Sequence, residues 1–358
     1  MEFATSYTYE ERIIFALRDL YRANGYRQYK MSKIENYDLY ADKKDYLVSS
    51  RIITFTDTDG SLKALKPDVT LSLVNSLDIK PGATQKMFYS ENVYRVTRAN
   101  SKFEELMQVG LECIGDIDAY SIAEVTALAI KSLQTISESN VLVLSDVDIA
   151  TNLISATGLN AQDAAEVTDA LARKSVADLQ VLATSKSIDE RIATALINLA
   201  QPKADAREEL ARLAEMGVNT SALSATVDFL EKVGLASNVR IDCSLLNEGD
   251  YYNGIVFEGY VEGVPMRVLS GGQYDRLLET MNLPARAIGF AVYTDILEKY
   301  LEQEREAAID TVLLYNESDN PSDVFAAVQA RIADGERVIA AKEAPQDVPY
   351  KNVVRFGD

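Results

Sequence analysis

The run Phe103-Glu104-Glu105-Leu106-Met107-Gln108-Val109-Gly110-Leu111-Glu112-Cys113-Ile114 constrains the fold more than any other stretch of the chain. It alternates polar and apolar positions with a period of two, the period of an extended strand and not of a helix. Strand patterns at Lys86–Tyr89 and Asn92–Thr97 precede it, and a helical pattern over Tyr120–Ile136 follows. This order is an antiparallel α+β pattern, not a βαβ repeat.

The flanking segments extend that class. Thr8-Tyr9-Glu10-Glu11 is a capping box before a helix whose Ile13, Ile14, Leu17, Leu20 and Tyr21 share one face, and Gly25 supplies its stop. A hairpin is expected from Ile52–Phe55 to Leu62–Leu65, because Asp57-Thr58-Asp59-Gly60 between them suits a tight turn. Pro67 is expected just inside a helix over Asp68–Leu77. From about 148 to 236 the chain becomes rich in Ala, Leu and Asp, and Leu179, Leu182, Ile188, Ile192 and Leu196 read as the core of a helical bundle. Strands are expected again at Val239–Cys243, Ile255–Tyr260, Met266–Leu269 and Ile288–Val292, with a helix from Tyr274. The last part has strand patterns at Val312–Tyr315, Val338–Ala341 and Val353–Phe356 and a helix from Ser322. The expected organisation is one core in two parts (1–147 and 238–305), an inserted helical domain (148–237) and a small α/β region (306–358).

Composition removes whole classes of function. A formal charge of −19 with no Lys/Arg run argues against nucleic acid as a partner. No apolar run has the length of a membrane-spanning helix, and the acidic N-terminus lacks a basic-then-apolar signal pattern. Cys113 and Cys243 are far apart and outside any Cys-x-x-Cys spacing, which reads as two reduced thiols in a cytoplasmic protein. The chain contains no histidine, so histidine-based metal sites, Ser-His-Asp triads and the usual neutral-pH proton shuttle are absent. Gly249 and Gly254 lack the Lys-Ser/Thr of a phosphate loop, and Gly271-Gly272 has no GxGxxG continuation. No metal site and no cofactor is expected.

The candidate site rests on polar residues inside apolar strands. Glu104, Leu106, Gln108, Gly110 and Glu112 share one face of their strand. Gln108 and Glu112 there suit a polar ligand, and a buried carboxylate would be paired by an ammonium group. An edge strand with that face in water fits the spacing equally. Asp68 and Thr70 at a helix start are most simply capping groups. Tyr251 and Tyr252, after a Gly-Asp turn, either line a pocket or cover the edge of a core.

The order of these segments resembles the histidyl-tRNA synthetase family over roughly residues 5–300. Leu65-Lys66-Pro67-Asp68-Val69-Thr70 resembles that family's hairpin element, and Asn92-Val93-Tyr94-Arg95 with Phe103–Glu112 its class II motif 2. Gly249-Asp250-Tyr251-Tyr252-Asn253-Gly254 is similar to the histidine-binding signature, Gly271-Gly272-Gln273-Tyr274-Asp275 to the GGRYD turn, and Ala287–Ala291 to motif 3. The resemblance implies a class II aminoacyl-tRNA synthetase-like antiparallel sheet with flanking helices. It also implies an amino-acid pocket in which Asp68, Thr70, Gln108 and Glu112 face the ligand's amino end and Tyr251 and Tyr252 flank an imidazole.

Several family arginines are replaced. Asn247 stands at the signature arginine, Gln273 at the GGRYD arginine and Glu104 at the inner arginine of the motif 2 loop. Tyr293 and Ile296 stand at the motif 3 glycine and ATP-clamping arginine. Arg95 remains as a residual anion-binding candidate, and Lys102 stands at another loop arginine. Losing guanidinium forks from a triphosphate site removes both positioning and charge neutralisation. The C-terminal part is also short and acidic beside the family's anticodon-binding domain.

An amino-acid pocket kept and an ATP site lost resembles the regulatory subunits of ATP phosphoribosyltransferase, silent paralogues of the synthetase in histidine biosynthesis. That implies no catalysis by this chain, a homodimer within a hetero-oligomer, a short-form catalytic subunit as partner and histidine as ligand. A functional synthetase and a diverged amino-acid-binding paralogue are the alternative readings.

Overall fold

The computed structural model describes residues 7–41, 51–77, 79, 82–96, 102–245, 252–301, 309–346 and 348–357. The first helix, α1 (Tyr9–Ala23), starts at the expected capping box: Glu11 N donates to Thr8 Oγ1 at 3.2 Å, and Thr8 N donates to Glu11 Oε2 at 2.9 Å. Gly25 follows it at φ +82°, a left-handed conformation open to glycine without strain. Next come β1 (Arg27–Gln28), β2 (Ile34–Asn36), α2 (Asp38–Ala41), β3 (Thr54–Thr56), β4 (Leu62–Leu65), α3 (Val69–Ser76), β5 (Gln85–Val96), β6 (Phe103–Gly115), α4 (Ala119–Ile136) and β7 (Asn140–Asp146). Helices α5 (Val147–Ala156), α6 (Ala161–Ala172), α7 (Val176–Ser185), α8 (Glu190–Leu199), α9 (Ala206–Glu215) and α10 (Ser221–Lys232) then lead to β8 (Val239–Ile241). They are followed by β9 (Asn253–Val261), β10 (Leu269–Gln273), α11 (Asp275–Thr280), β11 (Arg286–Tyr293) and α12 (Thr294–Leu301).

An eight-stranded sheet runs in the order β1-β5-β6-β11-β10-β9-β7-β8. Its six inner strands pair antiparallel, whereas β1 and β8 join the edges in parallel. Beside it, β2, β4 and β3 form a small antiparallel sheet. The strand at 103–114 is thus central, between β5 and β11, and the edge-strand arrangement does not occur.

The two faces of the sheet differ. On one, Val109, Leu111, Cys113, Ile288, Phe290 and Val292 share a core with α1, α4 and the helices that follow β7. Those helices lie between adjacent strands β7 and β8, and buried residues such as Leu171, Leu196 and Leu230 are continuous with the sheet's own core. On the opposite face Met87, Ile114 and Ala287 pack under α3 and α11 through Leu71, Val74, Leu277 and Leu278. Gln108 and Glu112, on the same side of β6 as Ile114, place a strip of polar side chains on this second face.

Four local expectations change. Lys86–Tyr89 and Asn92–Thr97 are not two strands: β5 pairs with β6 without a break from Gln85 to Val96. Pro67 lies outside the helix, because Asp68 is its N-cap and accepts from Leu71 N at 2.9 Å. The strand expected at Met266–Leu269 is β10, which begins at Leu269 and includes Gly271-Gly272. A side chain at Gly271 would strike the Gly289 carbonyl and the Phe290 backbone, so packing, not strand propensity, sets that choice. β7 has no counterpart in the sequence reading, since the consecutive apolar run Val141–Leu144 has neither a period of two nor of 3.6.

One ion pair near the site is withdrawn from water. Lys66 is fully buried and its Nζ donates to Glu91 Oε2 at 2.8 Å. Lys66→Met leaves a withdrawn carboxylate without its cation and is expected to cost about 3–5 kcal/mol in chemical denaturation. A loss below about 1 kcal/mol would mean that water replaces the ammonium.

A second compact unit holds β12 (Ile309–Leu314), α13 (Pro321–Ala333), β13 (Val338–Ala341) and β14 (Tyr350–Arg355). Its three strands are parallel in the order β13-β12-β14. Among the described residues no helix is long and apolar enough to cross a membrane, and no group of His, Cys, Asp and Glu could hold a metal ion.

Candidate functional site

The polar strip is built on a floor of small residues. Across β6, β11 and β10 the register aligns Glu112, Gly289 and Gly272 in one row, and Gly110, Ala291 and Ser270 in the next. Glycine is required at two of these places. A Cβ on Gly289 would run into the Glu112 carboxylate and lie 2.5 Å from the Leu111 carbonyl, and one on Gly110 would meet the Tyr89 phenol. The side chains of Glu112 and Tyr89 therefore lie across bare backbone.

Glu112 is the centre of the site. It is 2% exposed, and its Oε1 accepts from Thr70 Oγ1 at 2.9 Å while its Oε2 accepts from Tyr274 at 2.6 Å. Burial pushes its carboxyl up to about 8, and the nearby Asp68 charge adds to this against the pull of the Tyr274 and Thr70 hydroxyls. Burial also raises Asp68, opposed by its bond from Leu71 N and by the Arg95 guanidinium. Two carboxyls withdrawn from water, both raised, form a place where a cation is favoured.

Tyrosines enclose it. Tyr89 and Tyr252 are both held well above the ordinary phenol value by burial, and each feels Glu112, Asp68 and Tyr293. Tyr293 shares a hydrogen bond of 2.6 Å with Ser270 Oγ. At the far side Glu258 accepts from Arg267 and, at 2.5 Å, from the Tyr260 hydroxyl.

The structure brings together Asp68, Thr70, Glu112 and Tyr252, and it places Gln108, buried, on the same face of β6 as Glu112. Thr70 is more than a helix-start residue, since it reaches Glu112 across the gap between α3 and the sheet, while Asp68 is the N-cap and its charge is felt by Glu112. Arg95 is buried near the end of β5, and its charge reaches Asp68 and Asp295. Tyr251 and Asn247 lie outside the described residues.

The sequence pattern does not mark Tyr89 or Tyr274 as site residues, and it marks Tyr293 only as the residue at a family glycine. Tyr274 was within reach, because it follows the Gly271-Gly272-Gln273 element directly. Nothing in the strand pattern distinguishes Tyr89 from a core aromatic.

A largely antiparallel sheet carrying a cluster of carboxyl and phenol groups on one face, with helices on its faces and a helical insertion before its last edge strand, is the class II aminoacyl-tRNA synthetase-like α+β fold. The family model described as histidyl-tRNA synthetase matches residues 5–297, and the chain belongs to that family. A curated relative from Clostridium acetobutylicum, the ATP phosphoribosyltransferase regulatory subunit, is 27% identical over 347 residues, covering 92% of this chain and 85% of the relative. The crystal structure of an ATP phosphoribosyltransferase regulatory subunit/histidyl-tRNA synthetase from Bacillus halodurans has a TM-score of 0.76 at 24% identity, covering 97% of this chain and 93% of that one. A chain of the ATP phosphoribosyl transferase (HisG:HisZ) complex from Thermotoga maritima has a TM-score of 0.64 at 18% identity, covering 80% of this chain and 97% of that one.

Proposed function

We propose that this chain is a non-catalytic regulatory subunit of ATP phosphoribosyltransferase, which activates a short-form catalytic subunit in the first step of histidine biosynthesis. The observation that carries the reading is a division within one site. The end with Asp68, Thr70 and Glu112 is assembled for an ammonium group, whereas the place of the family's GGRYD arginine holds Gln273, whose side chain is bound within the sheet. Gln273 Oε1 accepts from Ile255 N at 3.0 Å, and Tyr293, at the place of the motif 3 glycine, pairs its hydroxyl with Ser270. The name of the Clostridium relative and the assembly named for the Thermotoga structure support the same reading.

On this reading histidine is the ligand, held by Asp68, Thr70, Gln108 and Glu112 with Tyr251 and Tyr252 about its ring. Arg95 is the nearby cation for an anionic group. The chain works as a homodimer within a cytoplasmic hetero-oligomer, and histidine transmits feedback by binding the two assembly states unequally. The test is to mix the purified chain with a short-form catalytic subunit and follow phosphoribosyl transfer and co-elution. Activation and co-elution are expected; a catalytic subunit equally active alone, with no complex formed, overturns the proposal. A synthetase reading is favoured by the family's own name, and histidine-dependent exchange of pyrophosphate into ATP by the chain alone would establish it.

A further inference from the structure

A cavity of about 400 Å³, a size usual for small-molecule sites, lies between the sheet and the turn that joins α6 to α7. It is on the face of Glu112 but beyond Glu258, which the register aligns with Ser270 on one side and with Val143 of β7 on the other. Val143, Leu245 and Tyr260 line it. The Tyr260 hydroxyl proton is committed to Glu258, so the ring is what this residue offers a ligand. Asp242, just past β8, and Lys174, from the α6–α7 turn, supply the charges.

The two charges are held unequally. Asp242 is buried, and its Oδ1 accepts from Ser244 N at 3.0 Å and from Ser244 Oγ at 2.5 Å, so the carboxylate is fixed before anything binds. Its Oδ2 accepts from the Lys174 ammonium, at the end of a long side chain that is half exposed. Releasing that ammonium to water costs little, because a pair with one partner in solvent is weak. An incoming ammonium can take its place on Oδ2, and Lys174 then pairs with an anionic group beside it. A ligand carrying both charges leaves every charge paired. An amine alone crowds Lys174, and an anion alone meets Asp242.

We propose that this cavity is a second ligand site, for a compact zwitterion: an α-amino acid whose ammonium replaces Lys174 on Asp242, whose carboxylate takes Lys174, and whose apolar side chain lies against Val143, Leu245 and the Tyr260 ring. Apart from Tyr260, which reaches back to Glu258, it shares no residue with the Glu112 site, and the assignment does not depend on what that site binds.

The probe is L-leucine, followed by calorimetry on the full chain, with isoamylamine and 4-methylpentanoate as the same skeleton carrying one charge each. The native chain is expected to bind leucine saturably and to prefer it to either analogue by about tenfold or more. Lys174→Met is expected to reverse the order of leucine and isoamylamine, since Asp242 then lacks its own cation and the leucine carboxylate lacks a partner. Val143→Phe is expected to weaken leucine by about tenfold or more, by filling the apolar end. A native chain that does not bind leucine overturns the proposal. So does leucine binding that neither variant alters, or an order of ligands unchanged in Lys174→Met. Lys174 is exposed, so its substitution spares the fold and decides the matter even where Val143→Phe does not fold.

Discussion

Replacing Glu112 with glutamine is expected to weaken histidine binding by about two orders of magnitude, the effect of removing one partner of a buried, hydrogen-bonded charge pair. The amide keeps the shape: its oxygen can accept from one of Thr70 and Tyr274 and its NH2 donate to the other hydroxyl, at the places of the two carboxylate oxygens they contact in the native chain at 2.9 and 2.6 Å. What it loses is the charge. The chain contains no histidine, so imidazole proton resonances in a titration belong to the ligand alone and report binding without background. Unchanged affinity in Glu112→Gln would remove histidine from this pocket and place its regulatory site elsewhere.

The same substitution has a pH signature in the absence of ligand. Burial raises the Glu112 carboxyl from an ordinary 4.5 to about 8. Its folded-state value lies above its unfolded one, so its stabilising contribution is complete below the lower value and is lost as pH rises through the upper. The unliganded chain is expected to lose on the order of a few kcal/mol of stability between those limits, and Glu112→Gln to flatten that part of the profile. An ammonium ligand reverses the preference by favouring the carboxylate. Histidine uptake near neutral pH is then accompanied by proton release, measurable as a dependence of the binding enthalpy on the buffer.

Gly289→Ala is expected to be the most damaging conservative change in the sheet, at about 3 kcal/mol or more of stability. The added methyl meets the Glu112 carboxylate from above and the Leu111 carbonyl at 2.5 Å, and the second of these is fixed backbone in the neighbouring strand. β6 and β11 must separate, or Glu112 must leave its hydroxyl partners and become an uncompensated buried group. Thermal unfolding with and without histidine tells the two apart: strand separation lowers both melting temperatures, whereas displacement of Glu112 mainly abolishes the ligand-induced rise. A variant as stable as the native chain, with ligand stabilisation intact, would mean that the close packing over Gly289 is not as described.

Much of this site was legible as a list of residues and little of it as an arrangement. The alternation at 103–114 fixed Gln108 and Glu112 on one face, because side chains on a strand repeat every two residues wherever that strand lies. It left open whether that face met water, since strand order depends on pairing between segments far apart in sequence. The position of β6 between β5 and β11 settled the point. Thr70 and Glu112 are 42 residues apart, and Tyr274 is 162 residues from Glu112. No local pattern relates such positions.

By itself, the sequence determined the α+β class, the α1 and α3 caps, the absence of histidine chemistry and the residue types available to the pocket. These follow from local periodicity, hydrogen bonding within a turn of helix and composition. Only the tertiary structure decided that Thr70 bonds Glu112 as well as starting its helix, that Glu112 is withdrawn from water with a raised pKa, and that Tyr293 meets Ser270. A carboxyl's protonation and a ring's reach depend on what the rest of the chain places around them, and that is set by the register of the strands.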